Sequence, residues 1–378
     1  MAKNSKLGAA KAAKNDEFYT QYADIQKEVN AYLEYNPDTF RDKVVLLPCD
    51  DPEWSNFTRF FAQNFERLGL KRLISTSYAV ESKKYKDYQP TLFETESPWY
   101  DVDKTRIKGK IFELTRDTNG NGHIDIDDLE WHYLEGDGDF RSKEVCKLRD
   151  EADIIVTNPP FSLFKEYLSW CIEANKQFLL IANKNCVTYK EVFPLIKDNK
   201  MWSGRTEWAG GMWFETKDEN DVDKVVDGIP MKNVSSVWFT NMEHGRRHEP
   251  MRLMTMQDNI RYGKHKEIRE NGYLKYENYD AIEVPFSDAI PDDYEGIMGV
   301  PITFFDKYCP EQFRILGMCE NLDIYGLKTK VYSSEECRQA YYHKFGRTGT
   351  YDLNAAGVIK KDDGHLEKVY QRILIQKI

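Results

Sequence analysis

Asp153-Ile154-Ile155-Val156-Thr157-Asn158-Pro159-Pro160-Phe161 decides how this chain is read. Ile154 to Thr157 are strand-forming and run straight into a sharp polar turn. That is the pattern of a buried central strand delivering its last residues to a site. Pro159 forces Asn158 out of the helical region, and neither proline carries an N–H. The turn therefore offers acceptors, the Asn158 side-chain oxygen and the Pro159 carbonyl, beside the aromatic face of Phe161. Such a surface suits a planar amine, with both hydrogens bonded and its ring stacked. The plainer alternative is a strand ended by two prolines, with Phe161 in the core. The residues downstream favour a site. Leu163, Phe164, Tyr167, Leu168, Cys171 and Ile172 recur at helical spacing, and Phe178 to Ala182 reads as a second buried strand. Strand, turn, helix, strand predicts a βαβ unit, with the turn at the strand end where ligands bind in open α/β sheets.

At these residues the chain resembles known enzymes. Asn158-Pro159-Pro160-Phe161 resembles the catalytic motif of amino-group methyltransferases that use S-adenosylmethionine. Asp16-Glu17-Phe18-Tyr19-Thr20 resembles the amino-terminal cofactor motif of adenine-N6 DNA methyltransferases. Cys49-Asp50-Asp51-Pro52 with Ser55-Asn56-Phe57, the stretch Gly136 to Ser142, and the closing Tyr370 to Ile375 are similar to the EcoRI-type adenine methyltransferases, in that family's order. The resemblance implies a doubly wound, Rossmann-like α/β methyltransferase domain with a smaller carboxyl-terminal DNA-recognition region. It implies methyl transfer from S-adenosylmethionine to the N6 amine of a flipped adenine in double-stranded DNA, as in restriction-modification or phage and host DNA protection. No metal is implied in catalysis.

The cofactor candidates follow from the resemblance and from chain order. Phe18, Tyr19 and Thr20 are placed to wall the cofactor's adenine or carboxylate, or else simply to start a helix. Val44 to Leu47 reads as the first strand and Asn56 onward as a helix, with Phe57, Phe60, Phe61, Phe65 and Leu68 on one face and Ser55 as its N-cap. A nucleotide-like cofactor sits at such a first strand–loop–helix step. The usual glycine-rich loop is absent, and Cys49, Asp50 and Asp51 stand in its place; a carboxylate there suits an ammonium group, or caps the loop. Leu73 to Tyr78 reads as the second strand, ending in hydroxyls rather than a ribose-binding acid. Asp139 followed by Phe140 resembles the family's motif in which an acid accepts from the cofactor's adenine amine and an aromatic ring packs on the base; a solvated Gly-Asp turn is the alternative.

Composition bounds the remaining readings. In 378 residues, 31% are charged and 41% hydrophobic, which describes a globular protein of one large or two ordinary domains. No apolar run approaches the ~20 residues that span a bilayer, and the amino terminus has no signal-like core. Seven cysteines without a Cys-x-x-Cys pair read as reduced thiols. A cytoplasmic protein is expected, associated with DNA in a bacterial or phage-infected cell. The net charge of −10 disfavours nucleic acid as a partner unless positive charge is concentrated locally. It is concentrated in residues 1–14 and again in residues 244–269, where Arg246, Arg247, Lys264 and Lys266 are the candidate DNA contacts.

These features divide the chain into a basic flexible arm (1–14), a methyltransferase domain (15–245) and a target-DNA recognition region (246–378). Asp117 to Asp128 also carries the ligand spacing of a calcium loop, with Asp in place of the usual final Glu; an Asn-Gly hairpin is the alternative. Two other functions compete. An RNA guanine-N2 or protein-glutamine methyltransferase would use the same acceptor turn, but the amide enzymes normally keep a glycine-rich cofactor loop. A non-catalytic, calcium-stabilised binding protein is opposed by the intact Asn158-Pro159-Pro160-Phe161. Nothing in the sequence fixes an oligomeric state.

Overall fold

The computed structural model describes residues 19–48, 55–79, 95, 97–216 and 221–378. By its contacts the chain forms two units, Met1–Val192 with Met201–Gly245, and Phe193–Lys200 with Arg246–Ile378. The sequence reading leaves 193–200 in the first domain. The structure gives that segment to the second unit, where Phe193 packs edge-on against Phe305 and Tyr325.

Every residue of β2 (Val44–Leu47) and of β6 (Ile154–Thr157) is buried. Strands without a polar face belong in the middle of a sheet covered on both sides. They lie in an eight-stranded sheet of order β5-β4-β3-β2-β6-β7-β12-β8. Its other strands are β3 (Arg72–Ser77), β4 (Lys110–Leu114), β5 (Glu130–Tyr133), β7 (Gln177–Asn183), β8 (Trp202–Ser203) and β12 (Ser236–Thr240). β3, β2, β6 and β7 are parallel, and the outer strands run antiparallel. The fold is therefore mixed α/β around a large mixed sheet.

The apolar faces of α1 (Tyr22–Tyr35), α2 (Asn56–Gln63), α3 (Phe65–Leu68), α5 (Lys143–Glu151) and α6 (Phe164–Glu173) pack inward on this sheet, whereas the short α4 (Val102–Ile107) leaves Val102 and Ile107 exposed and buries Thr105. On α2 the phenylalanines expected from the spacing, Phe57, Phe60 and Phe61, are buried, and Phe65 and Leu68 continue the face on α3. Ser55 caps α2 by accepting from Phe57 N–H at 3.1 Å. β1 (Tyr19–Thr20), β9 (Met212–Glu215), β10 (Lys224–Val226) and β11 (Ile229–Val234) form a separate four-stranded sheet. β9 therefore does not extend the main sheet. Gly211 has φ +69°, a turn that carries the chain away before β9 begins.

The second unit contains α7 (Phe193–Lys197), α8 (Met256–Tyr262), α9 (Lys266–Asn271) and α10 (Ser334–Phe345). Its sheet has the order β13-β14-β18-β15, from β13 (Ala281–Glu283), β14 (Ile297–Val300), β15 (Phe313–Met318) and β18 (Ile373–Lys377); β16 (Val358–Lys360) and β17 (Leu366–Lys368) make a hairpin. The closing motif, Tyr370 to Ile375, runs into β18. Its Arg372 forms a buried pair with Glu283 at 2.6 Å, and Tyr276 donates to the same carboxylate. Among the described residues no helix is long and apolar enough to cross a membrane.

Candidate active site

β2 has β3 on one side and β6 on the other, so the parallel order changes direction at β2. The crevice outside the carboxyl ends of two such strands is where ligands bind in an open α/β sheet. Here the two ends are tied together. Thr157 Oγ1, at the end of β6, donates to the Pro48 carbonyl just past β2 at 3.1 Å. At the opposite end Asp153 fixes the register, its N–H donating to Val44 O at 2.9 Å and its Oδ2 accepting from Val44 N–H at 2.8 Å.

From Thr157 the chain enters the acceptor turn. Asn158 is half-buried with its Oδ1 shielded from solvent, Pro159 is buried, and Pro160 and Phe161 are half-buried. Leu163 N–H donates to the Pro160 carbonyl at 2.8 Å, closing a single 3₁₀ turn, Phe161–Leu163, before α6 begins. α6 returns the chain to β7, which pairs in parallel with β6. The turn therefore heads a βαβ unit at the change of strand order.

Three other segments reach the neighbouring strand ends. Thr20 is held to α2 by Asn56 Nδ2, which donates to the Thr20 carbonyl at 2.8 Å. Its side chain is almost fully buried, and among the described residues Oγ1 has no hydrogen-bond partner, an arrangement that suits a polar ligand group. Tyr19, half-buried, precedes it in β1. The second begins at Ser55, whose hydroxyl caps α2. Phe18, Cys49, Asp50 and Asp51 lie outside the described residues. The third segment is Gly136 to Arg141. Ala79 N–H donates to Asp137 O at 2.8 Å, and Gly138, at φ +87°, lies so close to β3 that a Cβ there would overlap the Ser77 carbonyl. Glycine at 138 is what brings Asp139 beside the end of β3.

Asp139 and Phe140 then part company. Asp139 accepts from Arg141 N–H at 2.8 Å, Nε at 2.9 Å and Nη2 at 2.6 Å, and Arg141 also pairs with Glu166 of α6 at 2.9 Å. These interactions, Asp139 foremost, push the Arg141 guanidinium pKa upward. Phe140 is fully buried, stacked on Tyr167 at 3.9 Å between centroids and edge-on to Trp170. The Phe140 ring is core, and its expected packing against a bound base is corrected.

Two further expectations are corrected. Arg246 pairs with Asp306 at 2.8 Å with both side chains largely buried, and Arg247 is 5% exposed and donates to Asn199. Both are structural in the second unit and present no free guanidinium to phosphate. Lys264 and Lys266 are open, at 74% and 77% side-chain exposure, with Asp288 and Glu270 beside them. Three of the four carboxylates of Asp117 to Asp128 accept from the loop's own amides. Asp117 accepts from Gly120 and Gly122, and Asp125 from Asp127. Buried Asp128 accepts from Thr118, Asn119 and Asp125. They do not gather as cation ligands, so the calcium reading has no support.

The comparisons with known proteins bear on this geometry. The sequence profile of the family described as "Adenine-specific methyltransferase EcoRI" matches residues 6–378. The chain belongs to the EcoRI-type adenine-specific methyltransferase family. It is 40% identical to the type II methyltransferase M.EcoRI of Escherichia coli over 328 residues, 85% of this chain and 91% of that one. It is 34% identical to the type II methyltransferase M.MpnI of Mycoplasma pneumoniae over 336 residues, covering 85% and 89% of the two chains. No solved structure matches with significance. Membership in this family makes S-adenosylmethionine the expected methyl donor. Thr157 and Arg141 are the site residues that sequence reasoning missed. A threonine ending a strand and an arginine after an aspartate carry no signal until their partners, 109 and 25 residues away, are known.

Proposed function

We propose that the chain is a sequence-specific DNA methyltransferase acting on the N6 amine of adenine in duplex DNA. In this reading the first unit is a Rossmann-like methyltransferase domain and the region from Arg246 onward is the target-recognition region. The observation that carries the proposal is the position of Asn158-Pro159-Pro160-Phe161. An acceptor turn stands where the strand order changes, tied by Thr157 to the strand that leads into the cofactor loop.

S-adenosylmethionine, when bound, supplies an electrophilic methyl group on a positively charged sulfur. Thr20 and the loop from Pro48 to Ser55 would hold it. Asp139, oriented by Arg141, would accept from its adenine amine. The target nitrogen is a poor nucleophile while its lone pair is delocalised into the ring. Asn158 Oδ1 and the Pro159 carbonyl would each accept one of its N–H groups, favouring a pyramidal nitrogen with an accessible lone pair. Phe161 would stack on the flipped base, because the amine cannot be reached inside a duplex. Positioning and fixed dipoles supply the acceleration. On the recognition region, exposed Lys264 and Lys266 bracket the start of α9 and would contact phosphate. Family membership supports duplex DNA as the substrate over RNA guanine or protein glutamine, and agrees with a setting in the cytoplasm of a bacterial or phage-infected cell.

The test is incubation of the purified protein with labelled methyl donor and duplex DNA, followed by digestion to nucleosides. N6-methyladenine confined to one sequence context supports the proposal. Label in N4-methylcytosine, or none in DNA and some in RNA or protein, overturns it.

A further inference from the structure

The α10 helix ends beside the tip of the β16–β17 hairpin, and three metal-ligating side chains converge there. His343 lies in the last turn of α10, which Gly346 closes with its N–H donating to Tyr342 O at 2.8 Å. Asp363 and His365 flank Gly364, whose φ of +87° forms the hairpin tip. Lys361 N–H donates to His365 O at 2.9 Å and Gly364 N–H to Lys361 O at 2.8 Å, so the tip has a defined backbone. His343 Nε2 stands 3.8 Å from Asp363 Oδ2, His365 Nδ1 hydrogen-bonds the same carboxylate, and all three ligand atoms lie within 4.8 Å of one another. The two imidazoles are stacked, with centroids 4.0 Å apart and planes 12° from parallel.

We infer that His343, Asp363 and His365 form a binding site for a divalent transition-metal ion of the zinc class. Two imidazole nitrogens and one carboxylate oxygen are the donor set such ions prefer, whereas magnesium and calcium favour oxygen alone. Ligand atoms about 2.0–2.1 Å from a tetrahedral zinc stand about 3.4 Å apart. The side chains, exposed at 52%, 57% and 25%, have open space on their solvent side in which to turn toward that spacing. The elements already meet without the metal, because Lys344 of α10 and Lys361 of the hairpin both pair with Glu367, at 2.8 and 3.1 Å. With three protein ligands, the fourth position falls to water. The ion would staple the helix end to the hairpin in the second unit and take no part in methyl transfer.

The test uses untagged, chelator-treated full-length protein titrated with zinc chloride by calorimetry and with cobalt chloride by visible absorption. One zinc equivalent should bind, and cobalt should give tetrahedral d–d bands without a thiolate charge-transfer band. His343→Ala and Asp363→Ala should each weaken zinc binding by at least about 10²-fold and abolish the zinc-induced rise in melting temperature. Both residues are exposed, so the variants should fold, and their methyl-transfer rates should match wild type. Absence of binding, unchanged affinity in both variants, or a thiolate band placing the metal on cysteine would overturn the inference.

Discussion

Thr157 Oγ1 donates to the Pro48 carbonyl at 3.1 Å, and both groups are buried. One hydroxyl thus links the strand bearing the acceptor turn to the end of β2 at Pro48. Thr157→Val keeps the shape and removes the donor, leaving a buried carbonyl without it. The variant should lose about 1–3 kcal/mol of stability, read as a lower urea midpoint, and its methyl-transfer rate should fall. Thr157→Ser should restore both. Equal failure of the serine variant would mean that the methyl group, not the hydroxyl, matters.

Glu28 tests another buried group. It lies on the apolar face of α1 and accepts from Arg205 N–H at 2.6 Å, Thr206 N–H at 2.8 Å, the Thr206 hydroxyl at 2.7 Å and Tyr32 OH at 3.1 Å. Burial nevertheless raises its pKa above the ordinary 4.5. A carboxyl with a raised folded pKa contributes stability that is present below the unfolded value and lost as pH rises through the folded one. Wild type should therefore lose stability relative to Glu28→Gln as pH climbs from about 4.5 through that raised value. Parallel melting curves against pH for the two proteins would remove Glu28 as the titrating group.

Gly138→Ala places a methyl group where the Ser77 carbonyl lies and forces a positive φ on alanine. The strain, of order 1–3 kcal/mol, should displace Asp139 from the end of β3. Cofactor affinity should drop at least about tenfold, the equivalent of 1.4 kcal/mol. Equilibrium binding of the cofactor checks this, and unchanged affinity would detach the Asp137–Asp139 loop from the cofactor site.

The surface lysines and the buried arginines should behave differently. Lys264→Ala with Lys266→Ala should flatten the salt dependence of DNA binding by about one log–log unit for each phosphate no longer neutralised, with an unchanged melting temperature. Arg246→Ala removes the largely buried ion pair with Asp306 and should cost about 3–5 kcal/mol. A full salt slope in the double lysine variant would place the phosphate-binding surface elsewhere.

Much of the site was readable because local chemistry dictates it. Pro159 and Pro160 end β6 by geometry, the phenylalanine spacing of α2 fixes its buried face, and Ser55 stands where an N-cap belongs. The misreadings share a different cause. Arg246 and Arg247 look like a phosphate-binding pair until Asp306 and Asn199, 60 and 48 residues distant, are found beside them. Phe140 looks like a binding-site aromatic until Tyr167 and Trp170 enclose it. The spacing of Asp117 to Asp128 serves a calcium ion and a self-capped loop equally well, since both need carboxylate oxygens turned inward. The place of β9 in a second sheet depends on pairing with β1 and β11, which no local pattern announces.

The central claim is that Asn158 holds the target amine. If so, its hydrogen bond strengthens as the nitrogen becomes pyramidal and positive, and so belongs mainly to the transition state. The direct measurement is single-turnover transfer of labelled methyl groups to duplex DNA by wild type, Asn158→Ala and Asn158→Asp. The alanine variant should be slower by at least about 10²-fold, with near-normal cofactor binding, and the aspartate variant, which keeps an acceptor of the same reach, should retain more activity. An alanine variant as fast as wild type would contradict the assignment.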